Sequence, residues 1–77
     1  MLEVEDYLKF LGENVKRKRM QLSISQQELA DNANVAKSTI QRIEKGQLNP
    51  TITILYKISE SLEIDICELI KKNKPQT

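Results

Sequence analysis

The feature that most restricts this chain is a pair of short helical signals separated by a turn too tight to hold a loop. Ser25-Gln26-Gln27-Glu28 reads as a capping box: the Ser25 hydroxyl accepts from the Glu28 amide, and the Glu28 carboxylate reaches back to the Ser25 amide. Ile24 and Leu29 stand at the two positions of a hydrophobic staple. The helix so started is predicted over 26–32. Asn34 follows, and asparagine is the non-glycine residue that best tolerates a left-handed backbone, so a tight turn is placed there. A second helix is predicted over 37–45, closed by Gly46 at a C′ position. At helical spacing Lys37, Ser38, Gln41, Arg42 and Lys45 fall within an arc of about 140°, with Ala36, Ile40 and Ile43 opposite. One face packs and the other offers hydrogen-bond donors.

The remaining signals are helical too. Val4, Leu8, Leu11, Val15 and Leu22 form an apolar stripe of helical period, and predict a first helix over 6–21. Arg19 falls on that stripe, where a buried guanidinium needs a buried carboxylate. Asn49-Pro50-Thr51 stops and restarts the chain, with Thr51 as N-cap of a fourth helix carrying Leu55, Ile58 and Leu62. Asp65-Ile66-Cys67-Glu68 resembles a second capping box, with Ile64 and Leu69 as its staple, and opens a fifth short helix. Residues 71–77 read as a flexible tail. A chain of 77 residues holds one domain, and no linker, repeat or low-complexity run divides it.

Composition removes several classes of function. A lone cysteine closes no intramolecular disulfide, and with no histidine the usual ligands of zinc and iron are missing, so neither metal nor cofactor is expected. No nucleophile stands beside a base and there is little room for a pocket, so an enzyme is not expected. Glu3, Glu5 and Asp6 are the wrong charge for a signal peptide, and no apolar run approaches the roughly 18 residues of a membrane span. A cytoplasmic location with no membrane partner is the expectation.

Net charge is only +1, but it is segregated. Residues 1–13 set one lysine against four carboxylates, a net −3; residues 14–57 set eight bases against three acids, a net +5; residues 58–77 carry a net −1. The basic middle is the candidate polyanion face. Taken alone, the run Lys16-Arg17-Lys18-Arg19 is better read as a solvated helix face, so position within a motif has to decide.

Two short helices joined near Asn34 are the sequence form of a helix-turn-helix, whose second helix fits a DNA major groove. With Ser25-Gln26-Gln27-Glu28-Leu29-Ala30, Val35-Ala36-Lys37-Ser38-Thr39-Ile40, Arg42-Ile43-Glu44-Lys45-Gly46, Asn49-Pro50-Thr51 and Leu62-Glu63-Ile64-Asp65 in order, the chain resembles the Cro and phage-repressor (lambda-repressor-like, XRE) family of transcriptional regulators. The resemblance implies an all-α, five-helix domain over 14–70 with the helix-turn-helix at 25–45, and makes 1–13 an N-terminal extension of helix 1. It also implies a bacterial or phage origin, with double-stranded DNA as partner.

Residue by residue, the resemblance places Gln26 at a position that touches phosphate and braces the recognition helix. Lys37, Ser38, Gln41 and Arg42 match groove-facing positions, Thr39 a phosphate contact, and Lys45, Gln47 and Asn49 the loop along the DNA backbone. It also pairs Arg19 with Glu44 as a structural salt bridge, which supplies the carboxylate Arg19 needs. By chemistry Arg42 and Lys37 suit guanine O6 and N7, and Gln41 suits adenine or a second guanine. Ser23 and Asn34 stand where the family has turn glycines, Ala36 where it has a Ser or Thr cap, and Glu63 where it has glycine. Helices 1 and 4 are therefore expected to end differently from the pattern.

One recognition helix contacts too few base pairs for useful specificity, so a homodimer on a pseudo-palindrome is expected. Ile66, Cys67, Leu69 and Ile70 are its candidate interface, with core or tail placement as the competing reading. Cys67 reads as a buried small hydrophobe rather than a redox switch. Tyr7 and Phe10 either pack on the fold or meet a partner protein. No ligand-binding segment follows the motif in this chain, so dimerisation by concentration is a simpler control than a small effector. Small members of the family serve as phage-type repressors, restriction-modification controllers or antitoxins. The last leaves open an interaction module whose main partner is a protein; the two readings differ in whether Lys37, Gln41 and Arg42 matter.

Overall fold

The computed structural model describes residues 3–72, which form five helices: α1 (Val4–Gln21), α2 (Gln26–Ala33), α3 (Lys37–Glu44), α4 (Ile52–Ser61) and α5 (Cys67–Ile70). Four of the five end in the same way. A residue with positive φ follows the last turn at Ser23 (58°), Asn34 (57°), Gly46 (72°) and Glu63 (61°). The amide of each bonds back to the carbonyl three residues earlier, at 3.0, 3.2, 3.0 and 3.1 Å. The next amide, of Ile24, Val35, Gln47 or Ile64, bonds back five residues, at 3.3, 3.0, 2.9 and 3.0 Å. This is the Schellman arrangement, which satisfies carbonyls that a helix end would leave bare. Ile24, Val35 and Ile64 then pack, partly buried, against the core, the apolar contact that accompanies such ends.

The expectation that helices 1 and 4 would end differently is corrected by this geometry. Ser23 and Glu63 adopt the left-handed conformation without being glycine. Two backbone hydrogen bonds and a packed isoleucine at each end hold them there against a cost of roughly 1–2 kcal/mol.

Every helix contributes to one core. Leu11 and Val15 of α1 meet Leu29, Ala30 and Ala33 of α2, Ile40 and Ile43 of α3, Leu55 and Ile58 of α4, Leu62 just beyond it, and Leu69 of α5. The apolar stripe of α1 is thus real in its middle but not at its ends. Val4 is 62% and Leu22 42% exposed, because each lies past the span that α3 and α5 cover. The Ser25 box forms as expected, with bonds of 3.0 and 2.9 Å, and the Thr51 hydroxyl caps α4 at 3.2 Å. The box expected at 65–68 does not form. Glu68 turns its carboxylate to Lys71 at 3.1 Å and Lys18 at 3.8 Å, and Ile66 at the cap position is already helical.

What anchors α5 is a residue that periodicity did not single out. Asn14 is fully enclosed, and its amide donates to the Leu69 and Lys71 carbonyls at 2.7 and 2.8 Å while its oxygen accepts from Arg17 at 2.9 Å. One side chain on α1 therefore closes the end of a helix more than fifty residues away. Nearby, Tyr7 and Phe10 meet edge-to-face with centroids 6.2 Å apart, and the Lys72 ammonium lies 5.5 Å from the Phe10 centroid. Phe10 thus packs on the fold, while Tyr7 stays half exposed. Of the expected tail, 73–77 lies outside the described residues.

If left-handed serine and glutamate strain the helix ends, Ser23→Gly and Glu63→Gly should each stabilise the fold by about 1 kcal/mol. Thermal melts should rise by several degrees for each, and by less for Asn34→Gly, since asparagine bears this conformation better.

Candidate nucleic-acid interface

The α2–turn–α3 unit is built outward from two isoleucines. Ile40 and Ile43 are fully buried, which fixes the rotation of α3 about its axis. On the opposite side Lys37, Ser38, Arg42 and Lys45 are exposed, and Gln41 and Thr39 are half-buried along the flanks. The chain leaves α3 through Gly46 and continues outward, so that Gln47 and Asn49 are exposed next to the same face. All eight of these predicted residues thus keep solvent exposure, Thr39 and Gln41 only in part. Lys37, Arg42 and Lys45 have no ion-pair partner among the described residues, so their charges face solvent.

Gln26, the ninth, is placed to brace. Its side-chain amide donates to Glu44 Oε1 at 3.0 Å, linking the first turn of α2 to the last turn of α3. Glu44 in turn takes a forked contact from Arg19 of α1, Nε to Oε2 at 2.7 Å and Nη2 to Oε1 at 3.1 Å. The remaining guanidinium nitrogen, Nη1, donates to the Ile24 carbonyl at 2.9 Å. The side chains of Arg19 and Glu44 are 12% and 4% exposed, so the pair is largely shielded from water. The Glu44 hydrogen bond holds the Arg19 pKa above its ordinary value, although burial pulls the other way. Planar, two-pronged pairing of this kind is the strong form of an ion pair.

The basic run of α1 is not part of this surface. Arg19 is committed to Glu44, Arg17 to Asn14, and Lys18 approaches Glu68; Lys16 alone stays exposed and unpaired among the described residues. Among the described residues, the bases of the middle segment that are exposed and without an ion-pair partner are Lys16, Lys37, Arg42, Lys45 and Lys57, three of them on α3 or at its end. At its end α3 rests on α1 through Gly12, which lies against the backbone carbonyls of Ile43 and Glu44. A glycine inside a helix, unfavourable by about 1 kcal/mol relative to alanine, was the available sign of such a close approach.

The end of the chain expected to pair two copies is only partly free. Leu69 is fully buried in the core of its own chain, because Asn14 and α1 draw α5 inward, and it is corrected out of the interface. Cys67 is exposed, against the expectation of burial, since the four-residue α5 turns only Leu69 wholly inside. Ile70 is 48% exposed and Ile66 is half-buried. Ile52 and Tyr56, one turn apart on α4, are also exposed at 66% and 55%, and neither was expected there.

Because the Arg19–Glu44 pair is enclosed, truncating one partner strands a charge. Glu44→Ala should lower stability by about 3–5 kcal/mol in urea unfolding, whereas the apolar double replacement Arg19→Met with Glu44→Leu should lose far less.

Comparison with known proteins agrees with this geometry. The family model described as helix-turn-helix matches residues 15–69. An uncharacterised HTH-type transcriptional regulator of Sinorhizobium fredii, y4dJ, is 28% identical over 65 residues, covering 84% of each chain. The HTH-type transcriptional regulator SinR of Bacillus subtilis is 38% identical over 61 residues; the match covers 78% of this chain but only 55% of SinR. Among solved structures, the restriction-modification controller protein C.AhdI of Aeromonas hydrophila superposes with a TM-score of 0.79 at 27% identity, over 80% of this chain and 94% of that one. The chain belongs to the helix-turn-helix family of DNA-binding transcriptional regulators, of the Cro and XRE type.

Proposed function

We propose that this chain is a sequence-specific regulator that binds double-stranded DNA as a homodimer, reading a pseudo-palindromic operator with α3. The observation that carries the reading is the division of α3 itself. Ile40 and Ile43 are wholly buried and Glu44 is locked to Arg19 and Gln26, while Lys37 and Arg42 are exposed and Gln41 is half-buried beside them. A helix held this firmly by one side presents the other as a preformed surface, and a major groove admits one such helix.

In this reading Arg42 and Lys37 donate to guanine O6 and N7, Gln41 pairs with adenine, and Ser38 meets a neighbouring base edge. Thr39, Gln26, Lys45, Gln47 and Asn49 contact phosphate and set the register, as most protein–DNA hydrogen bonds do. Gln26 can serve in both ways in this reading: its side-chain amide spends one hydrogen on Glu44 and keeps a second for a phosphate. The likeness to C.AhdI, whose name describes a restriction-modification controller, supports a controller or phage-type repressor.

Two copies pair through Ile66, Cys67 and Ile70 of the α5 region together with Ile52 and Tyr56 of α4. These five residues leave apolar surface uncovered in one chain, on two helices that pack together. Such pairing sets the two α3 helices about 34–36 Å apart, one turn of DNA.

Selection from randomised duplexes at two salt concentrations tests the DNA reading. A two-fold-related motif should emerge, with affinity falling steeply as salt rises. Arg42→Ala should flatten preference at one base pair per half-site, by ~1–3 kcal/mol. Weak binding with no motif and no response to Arg42→Ala would instead point to a protein-binding role on the same fold. Sedimentation equilibrium tests the pairing: the parent should be a dimer at micromolar concentration, and the Ile52→Lys, Tyr56→Lys double variant a folded monomer.

A further inference from the structure

The chain has two glycines, and both lie on the seam between α1 and the end of α3. Gly12 sits in the interior of α1, where its helical backbone needs no glycine. A methyl group there would overlap the Ile43 carbonyl oxygen and stand 2.8 Å from that of Glu44, both backbone atoms with little freedom to move aside. Gly46, just past α3, has a φ of 72°, and a methyl on it would stand 3.2 Å from Cγ and 3.3 Å from Cα of Lys9, one turn before Gly12 on α1. The two elements therefore meet backbone to backbone from both directions.

We propose that Gly12 is a positioning residue for DNA recognition: by letting the last turn of α3 seat directly on the α1 backbone, it sets the direction in which Arg42 projects. The inference rests on the reading of α3 as the recognition helix. Its physical basis is a two-point attachment. The last turn of α3 lies with its carbonyls directly against Gly12, and is tied to Arg19, two turns further along α1, through the Glu44 side chain. One tether would fix where α3 sits but let it swivel. Two, spaced along a rigid helix, fix its angle as well. Arg42 lies in the same final turn, between Gln41 on the flank and Ile43 in the core, so any lift of that turn is passed to its guanidinium. A two-pronged contact to guanine tolerates little misalignment.

A residue that merely fills space would alter stability and leave base preference intact, and this separates the two roles. Gly12→Ala is made in the Ser23→Gly, Glu63→Gly background, which adds stability away from the seam, and is studied at a temperature where circular dichroism shows it folded. Dissociation constants are measured for the duplex that the background protein selects, for versions changed at the base pair that responds to Arg42→Ala, and for a scrambled duplex. The expected result is a loss of discrimination at that base pair of about fivefold or more, with scrambled-duplex affinity changed by less than about twofold. Unchanged discrimination in folded Gly12→Ala overturns the proposal. Should Gly12→Ala not fold even there, Gly46→Ala is read in the same way: weakened discrimination supports the seam, and full discrimination overturns it. A background protein that selects no motif removes α3 as the reading helix, and the inference with it, whereas clear selection with an indifferent Gly12→Ala removes the inference alone.

Discussion

The enclosed pair of Arg19 and Glu44 is the interaction on which the rest of the structure depends. A helix of eight residues such as α3 is not stable alone in water, because so few hydrogen bonds follow the unfavourable first turn. It exists here because it is held, by Ile40 and Ile43 in the core and by Glu44 at its end. The carboxylate binds α1 through Arg19 and α2 through Gln26, and the same guanidinium reaches the carbonyl of Ile24 at the end of α1. Three side chains, one from each of three helices, and the Ile24 carbonyl between α1 and α2 thus share one polar knot. Desolvating two charges is costly, and the forked geometry, with all three guanidinium nitrogens of Arg19 bonded, offsets that cost. The return is directional: apolar packing sets which face α3 turns inward, and the knot ties its last turn to α1 and α2.

The second constraint is economy of chain. Four helices end in the same two-bond turn, and each turn sends an amide back and an apolar or outward-facing residue forward. This lets five helices close on a single core with connections of only a few residues. At α3 the consequence is functional, because the Gly46 turn carries Gln47 and Asn49 alongside the face of Arg42 and Lys45. In the proposed function, pairing two copies supplies the specificity that one short recognition helix lacks.

Much of this was legible in the residues because the deciding interactions are local. The capping box at Ser25, the Thr51 cap, the Asn34 turn and the glycine after α3 are each written within a few positions of where they act. The division of α3 into a packed and an open face follows from spacing alone. Arg19 was marked by its place on an apolar stripe, but its partner came from resemblance rather than from any local rule. What spacing could not show were contacts between distant backbones. Asn14 looks like an ordinary polar residue until α5 is placed over it, and Gly12 like an indifferent one until the carbonyls of Ile43 and Glu44 are seen against it. The Asp65–Glu68 signature misled for the converse reason. Lys71 and Lys18 compete for Glu68, so a local rule yielded to nearby charge. Leu69 was misplaced because the inward pull of Asn14 on α5 is a tertiary fact.

In the proposed function the outward face of α3, held by the Arg19–Glu44 knot, is what meets DNA. The most direct measurement is a nitrogen-15 amide titration of the protein with a short duplex, following backbone and guanidinium signals together. The account predicts the largest shifts at Lys37 to Lys45, Gln26, Gln47 and the Arg42 side chain, with the Arg19 guanidinium signal unmoved and α5 silent toward DNA. Shifts gathered on α5 or on the outer face of α1 around Lys16, with α3 unchanged, would contradict it.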